Sequence, residues 1–331
     1  MSRLLIYGAA GYTGSMVARQ ARAAGLDFVI AGRDGAKLAG PALELGVPYS
    51  TFQVDADDVG DALRGVCVLL NCAGPFARTA EPLMRACIRA GIHYLDITAE
   101  INVYRLAERL GAEAAKAGTM LMPGVGWDVV PTDCLAMHLG RRVAEPQSLR
   151  IALQVAGSMS RGSAVSAGEI VGAGLMTRVA GALVPSPDAQ PELFDFGRGP
   201  VVCAPLSFGD LVTAWHSTRI PNIAMFVNVT GGAFPEGDLS LLPDGPSAAD
   251  REAEPARAVA EVTGADGATV RAVIETVNGY SYTPMIAVEA ARRVLGGEHS
   301  PGFETPARLF GAGFAETVEG TRLIDLGELP R

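Results

Sequence analysis

A glycine loop near the start of the chain, Gly8-Ala9-Ala10-Gly11-Tyr12-Thr13-Gly14, narrows most what these residues can form. It follows the short apolar run Arg3–Tyr7 and opens a helix-length stretch near 13–24. In a strand–turn–helix, Gly8 allows the tight turn, Gly11 lets the backbone approach a pyrophosphate, and Gly14 lets helix and strand pack closely. The pyrophosphate would rest on unpaired N–H groups at the positive end of the helix dipole, cradled also by Ala10, Tyr12 and Thr13. The spacing is G-x-x-G-x-x-G rather than G-x-G-x-x-G, which keeps the dinucleotide reading and shifts the turn. The competing reading is a tight βα turn with no ligand.

Further apolar runs follow at Phe28–Ala31, Ser50–Val54, Cys67–Asn71, His93–Ile97 and Thr119–Met122. Between them lie helix-length stretches near 35–45, 57–64, 79–90 and 101–116. In the last of these Val103, Leu106, Ala107, Leu110 and Ala114 share one face, with Glu108, Arg109, Glu113 and Lys116 free to reach water. Such alternation predicts a doubly wound α/β domain over 1–145: a parallel sheet whose ligand lies beyond the carboxyl ends of its strands. The second half differs. Ser148–Ala156, Ile223–Val229 and Ala268–Val277 read as strands, and helices are expected near 163–181, 247–263 and 281–295. Long irregular connections then imply an α+β domain over 146–300 with a mixed or mostly antiparallel sheet. The Pro-rich stretch 184–206 reads as a surface excursion or lid, and 301–331 as a segment able to pack back on the first domain.

Cofactor flavour is read at the end of the second strand, where an NAD site offers Asp or Glu to the ribose. Here stand Ala31-Gly32-Arg33-Asp34, with Lys37 one turn on. Gly32 leaves room, Arg33 supplies a planar fork matched to a phosphate, and Asp34 suits a helix cap. NADP(H) is therefore expected over NAD(H).

With 27 basic and 36 acidic side chains the formal charge is −9 and no basic cluster exists, which excludes nucleic acid as the main partner. Hydrophobic residues at 49% and charged ones at 19% exclude a disordered chain or a coiled coil. The longest uncharged run, Ile220 to Pro235, is too short and too broken by Asn222, Asn228, Gly231 and Gly232 to span a bilayer. No signal peptide is expected from Arg3-Leu4-Leu5-Ile6-Tyr7-Gly8, and five cysteines without C-x-x-C spacing suit a reducing cytoplasm. No metal-ligand set is read.

The chain resembles the saccharopine dehydrogenase-like oxidoreductases, particularly the branch with the trans-acting enoyl reductases. The resemblance rests on the glycine loop, Ala31-Gly32-Arg33, Asn71-Cys72-Ala73-Gly74-Pro75-Phe76, Gly91-Ile92-His93-Tyr94-Leu95-Asp96-Ile97-Thr98 and Pro123-Gly124-Val125-Gly126-Trp127-Asp128. It continues in Pro131-Thr132-Asp133, Ser160-Arg161-Gly162-Ser163, Phe208-Gly209-Asp210, Ser217-Thr218-Arg219-Ile220-Pro221-Asn222 and Gly302-Phe303-Glu304-Thr305-Pro306. Ala99 before Glu100 departs from the family's common Gly-Glu, and Arg219 stands where Gly is common, a change bearing on the pocket. The resemblance implies a nicotinamide-dependent oxidoreductase, commonly a homodimer built through the second domain. Family members act at C–N or C=C bonds.

Segments 71–76, 96–100 and 123–128 all follow carboxyl ends of strands, so they should line one crevice. Gly74-Pro75 gives a stiff turn, with Cys72 and Ala73 leading into it. Phe76 either walls one nicotinamide face or is ordinary core. Asn71 holds a ribose hydroxyl or a backbone turn. Asp96 needs a partner, whether ribose, substrate or a helix N-terminus, and Glu100 suits helix capping. Asp128, beside Trp127, is an N-cap or a pocket wall. Proton donors to weigh are Tyr282, Tyr280, His216, Tyr94, Asp128 and water. His93 begins its strand and so lies at the wrong end. No Ser-x-x-x-Lys arrangement with a tyrosine supports short-chain dehydrogenase chemistry. Arg161 binds an anionic substrate group or forms a structural ion pair, with Ser163 and Trp127 as further substrate contacts. The expectation is an NADPH-dependent reductase acting on a polarised C=C or C=N bond of a fairly apolar small to medium substrate. The alternative is a non-catalytic NADP(H)-binding sensor or scaffold.

Overall fold

The computed structural model describes residues 3–55, 59–230, 238 and 242–329. In chain order the first half forms β1 (Arg3–Tyr7), α1 (Tyr12–Ala23), β2 (Phe28–Gly32), α2 (Gly35–Leu45), β3 (Tyr49–Thr51), α3 (Val59–Ala62), β4 (Val66–Asn71), α4 (Phe76–Ala90), β5 (His93–Asp96), α5 (Ile101–Lys116), β6 (Met120–Met122) and α6 (Val130–Gly140). Then follow β7 (Pro146–Ala156), α7 (Arg161–Gly172), β8 (Met176–Val179), β9 (Ala182–Pro185), β10 (Glu192–Asp195), β11 (Pro200–Pro205), α8 (Asp210–Thr218), β12 (Asn222–Thr230), α9 (Ala248–Ala253), β13 (Ala256–Gly264), β14 (Thr269–Thr276), α10 (Gly279–Leu295), β15 (Gly302–Phe303), α11 (Pro306–Phe310) and β16 (Arg322–Leu329). Of the helix expected near 57–64, residues 57 and 58 lie outside the described residues.

The first sheet has seven strands in the order β15-β6-β5-β4-β1-β2-β3, every pairing parallel. Strand order turns about at β1, where Tyr7 pairs beside Asn71 of β4. The loops after β1 and β4 therefore part to opposite faces and leave a crevice between them, as a doubly wound sheet requires. Asp34 caps α2 by accepting from the Ala36 and Lys37 amides, and Gly46 ends that helix at φ 64°. The apolar stripe of α5 buries as its 3.6-residue period predicts, with Val103, Leu106, Ala107, Leu110 and Ala114 all inside.

The second sheet has nine strands, with β10-β11-β12-β7-β13-β14-β16 in a row and β8 and β9 branching from β12. Among the described residues only the β12–β7 pairing of this sheet is parallel, so the sheet is mixed, as expected. Helix α6 is buried on nearly all sides between α8, α11, β13 and β14. From the far side of the chain, α10 packs on α1 and on β1, β4 and β5 of the first sheet. The stretch 301–331 supplies β15 to the edge of the first sheet and β16 to the edge of the second.

Two expectations change and a third is narrowed. The helix expected near 247–263 ends at Ala253, and Ala256–Gly264 is strand β13. Pro255 disfavours a helical continuation, and the alanines conceal a two-residue period. Ala256, Ala258, Ala260 and Val262 join the main core, while Arg257 and Glu261 face the other way. There they pair with Glu275 and Arg150. The helix expected near 163–181 stops at Gly172, and Met176–Val179 is a strand after Gly174 at φ +76°. The stretch 184–206 is the surface excursion, not the lid, and it is built of strands: the end of β9 with β10 and β11 extends the second sheet, mostly exposed, with Phe194, Phe196 and Cys203 buried against Phe226.

One buried contact predicts a pH effect on stability. Asp210 at the start of α8 is fully buried, accepts from Thr132 Oγ1 at 2.9 Å, and has a second oxygen without a described partner. Burial, reinforced by Asp133, holds its carboxyl well above the ordinary carboxylate range. The folded state therefore binds this proton more tightly than the unfolded chain does. The associated stability is fully present below the ordinary carboxylate pKa and is lost as pH rises through the folded value. Asp210→Asn keeps the acceptor and cannot ionise. Its thermal midpoint relative to wild type is expected to improve by about 2–4 °C or more between pH 5 and pH 8; an unchanged difference would refute a protonated Asp210.

Candidate functional site

A cleft of about 1020 Å³ runs from the glycine loop to α7 and the start of α10. Its floor is built by backbone. Gly8 sits at φ +85°, and a Cβ there would stand 2.8 Å from both the backbone nitrogen and the Cβ of Ala73. A Cβ on Gly14 would lie 2.2 Å from the Gly8 carbonyl, so loop and helix touch directly. Gly11 donates to Gly8 O at 3.0 Å and starts α1 without a side-chain cap or an acidic residue in the first turn. Among the described residues no backbone acceptor serves the Tyr12 and Thr13 amides. The result is a bare helix N-terminus with donors free, which fits a pyrophosphate. Gly8, Ala10, Gly11, Tyr12 and Thr13 line the cleft, and Gly14 lies buried behind them.

Arg33 and Lys37 line the same cleft, Arg33 exposed and without a hydrogen bond or ion pair to any described residue. Lys37 approaches Asp34 at 3.8 Å. Arg78, two residues after Phe76 on α4, lines the cleft too, and nothing local in the sequence marks it. Arg33 and Lys37, both after β2, share their part of the cleft with Gln53 and Asp55, which follow the neighbouring β3.

At the other end the loop after β4 brings Cys72, Ala73, Gly74, Pro75 and Phe76 to the cleft, with a cis Gly74-Pro75 bond. Burial pushes the Cys72 thiol far up, so it is an inert thiol at neutral pH. Phe76 is largely buried and also lines the cleft. Asn71 instead turns inward: its amide donates to Thr79 Oγ1 and Tyr94 OH and accepts from Ala73 N–H. Of its two readings the backbone turn is the one formed. Asp96 is likewise no cofactor contact. Fully buried, it accepts from Tyr94 OH and from the Thr98 and Gly124 amides, tying β5 to the loop after β6. Desolvation raises its pKa to about 7 against those hydrogen bonds.

Three of the weighed proton donors are elsewhere. Tyr282 is wholly buried and donates to Ala315 O at 3.0 Å. His216 packs edge-on against Phe303 and bonds Glu108 Oε1 at 2.7 Å on the α5–α8 side, away from the cleft. Tyr94 is consumed by Asn71 and Asp96. Asp128 and Tyr280 do reach the cleft. Asp128 caps nothing, since α6 begins after Val129 without a side-chain cap. Among the described residues its carboxyl accepts only from its own backbone N–H, and burial pushes its pKa up to about 6. Tyr280 donates to Ser163 Oγ at 2.8 Å and accepts from the Ser160 amide at 2.8 Å.

Trp127 borders Asp128, held by its indole N–H on Thr276 Oγ1 and its amide on Thr283 Oγ1. Arg161 forms an ion pair with Asp244, the second of its two readings. Beside that pair, Tyr12 OH donates to Pro246 O at 2.5 Å and accepts from Arg251, and Gly245 lies against its ring. This clasp between residues far apart in sequence leaves no local signal. Val155, Val165, Ile170, Phe208 and Val227 give the remaining wall an apolar character. Arg219 does not line the cleft: at φ 62° it ends α8 in the left-handed region, which is why glycine suits the position.

Residues 4–122 match the family of the saccharopine dehydrogenase NADP binding domain. A trans-acting enoyl reductase of Mycobacterium tuberculosis H37Rv is 29% identical over 151 residues, 43% of this chain and 36% of that protein. A human saccharopine dehydrogenase-like oxidoreductase is 28% identical over 151 residues, 39% of this chain and 35% of its own. The chain thus spans little more than a third of the length of these relatives. Among solved structures, apo saccharopine dehydrogenase (L-Glu forming) from Saccharomyces cerevisiae superposes with a TM-score of 0.67 at 14% identity, over 99% of this chain and 100% of that one. That likeness covers both sheets and concerns the fold alone.

Proposed function

We propose, from the match of residues 4–122 to the saccharopine dehydrogenase NADP-binding domain family, that the chain is an NADPH-dependent oxidoreductase. Its reaction is reduction of a polarised C=C or C=N bond in a small to medium organic substrate. The observation that carries this reading is that one cleft holds both the bare glycine cradle and an acid, Asp128, with a pKa of about 6. Gly8–Thr13 would hold the pyrophosphate, Arg33 with Lys37 the adenosine 2′-phosphate, and Phe76 one side of the nicotinamide. When bound, the cofactor supplies a hydride, two electrons, to one atom of the double bond. The chain supplies the balancing proton: protonated Asp128 gives it to the neighbouring atom, is left as carboxylate, and regains a proton from water.

The apolar wall formed by Val155, Val165, Ile170, Phe208 and Val227 favours an apolar or weakly charged substrate. Arg161, already paired with Asp244, offers no free cation to a dicarboxylate. The proposal includes a cytoplasmic homodimer joined through the second sheet. No helix of the described residues is long and apolar enough to cross a membrane. The experiment is direct: NADPH consumption is followed with a panel of enals, enones, cyclic imines and ketones. Oxidation with an enal, enone or cyclic imine supports the reading. Firm NADPH binding with no oxidation across the panel refutes the reductase in favour of a sensor.

A further inference from the structure

We infer that Glu100 is a positioning residue that fixes the nicotinamide end of the cleft by holding the start of α4 against α7, an assignment that rests on the function proposed above. Glu100 immediately precedes α5 yet leaves that helix without a side-chain cap. Its buried carboxylate reaches instead to the neighbouring helix. Oε1 accepts from the Phe76 amide at 2.9 Å and Oε2 from the Ala77 amide at 2.7 Å. A carboxylate on first-turn amides makes charge-assisted bonds and complements the helix dipole. Because α4 begins directly after Gly74-Pro75, these two bonds decide where the Phe76 ring stands.

The same Oε1 also accepts from Ser166 Oγ at 2.8 Å, and Ser166 lies on α7, beyond the first sheet's own elements. Ser166 in turn sits over Gly74, where an added Cβ would stand 3.5 Å from its Oγ. One carboxylate therefore ties together three pieces that meet at the ring-binding end: the start of α4, the loop before α5, and α7. The phosphate cradle, Arg33 and Lys37 are built on other strands and touch none of these bonds. A change at Glu100 should be felt by the nicotinamide and not by the adenosine end. A glutamine there has one accepting oxygen, and its NH₂ group would meet an N–H donor head-on.

The test compares two probes on the full chain: NADPH, and 2′,5′-ADP, which keeps the adenosine end and lacks the nicotinamide. For Glu100→Gln the NADPH dissociation constant is expected to rise ~10-fold, the loss of about one charge-assisted bond, with 2′,5′-ADP changed less than ~2-fold. The fluorescence of bound NADPH, which reports the ring's surroundings, should shift back toward that of the free cofactor. Ser166→Ala keeps both α4 bonds and should show the same selectivity at ~2–3-fold, which keeps the test open should Glu100→Gln not fold. Equal losses for both probes, or no loss for either, would overturn the positioning role. A wild-type chain that binds neither probe would refute the function on which this role rests, a different result from variants that fail to discriminate.

Discussion

Asp128→Asn is expected to lower turnover of an active substrate by about 10²–10⁴-fold, the usual worth of a positioned general acid, while NADPH affinity stays within ~2-fold. The substitution keeps shape and removes the transferable proton. The carboxyl stands in the cleft with no capping duty, and burial raises its pKa to about 6. Its proton is therefore present below that value, and kcat/KM should fall ~10-fold per pH unit above it. In the variant that limb should flatten. Stability gives an independent check of sign. A folded pKa raised above the unfolded one costs stability as pH rises through about 6, so the variant should be no less stable than wild type at pH 8. Full turnover in Asp128→Asn would transfer the role to Tyr280 or to water.

Arg33→Ala should weaken NADPH binding by ~10–150-fold, equivalent to about 1.5–3 kcal/mol for a lost charge-assisted contact, and NADH binding by less than ~2-fold. Arg33 follows Gly32 at the carboxyl end of β2, is exposed, and has no hydrogen bond or ion pair with a described residue that would compete for its guanidinium. Lys37 is nearer to Asp34, and its loss should matter less. Higher salt should shrink the NADPH preference, because the site is open to solvent. Equal losses for both coenzymes would contradict a phosphate role.

Periodicity made most of the first half legible. Apolar runs with glycine turns place every strand of that sheet except the two-residue β15, and the glycine loop was readable because Gly8, Gly11 and Gly14 fall within one short stretch of sequence. Side-chain direction near a helix start was not. Tyr280 and Tyr282 are two residues apart on α10, about 200° around the helix, so one reaches the cleft and the other the core. Asn71 and Asp96 end strands at the right edge of the sheet, yet their side chains bond across to Tyr94 instead of upward to a ligand. His216 adjoins a family-like segment in sequence and lies by Glu108 in space. In β13 alanine's helix preference masked a strand whose alternation is apparent only once its neighbours are known. Glu100 was legible as a capping residue, but not that it would cap α4 and reach α7.

The most direct measurement is a calorimetric titration of the pure, folded chain with NADPH and, separately, NADH. The account predicts saturable binding of NADPH near one per chain, tighter than that of NADH. No saturable heat with either coenzyme, from a protein shown to be folded, would contradict it.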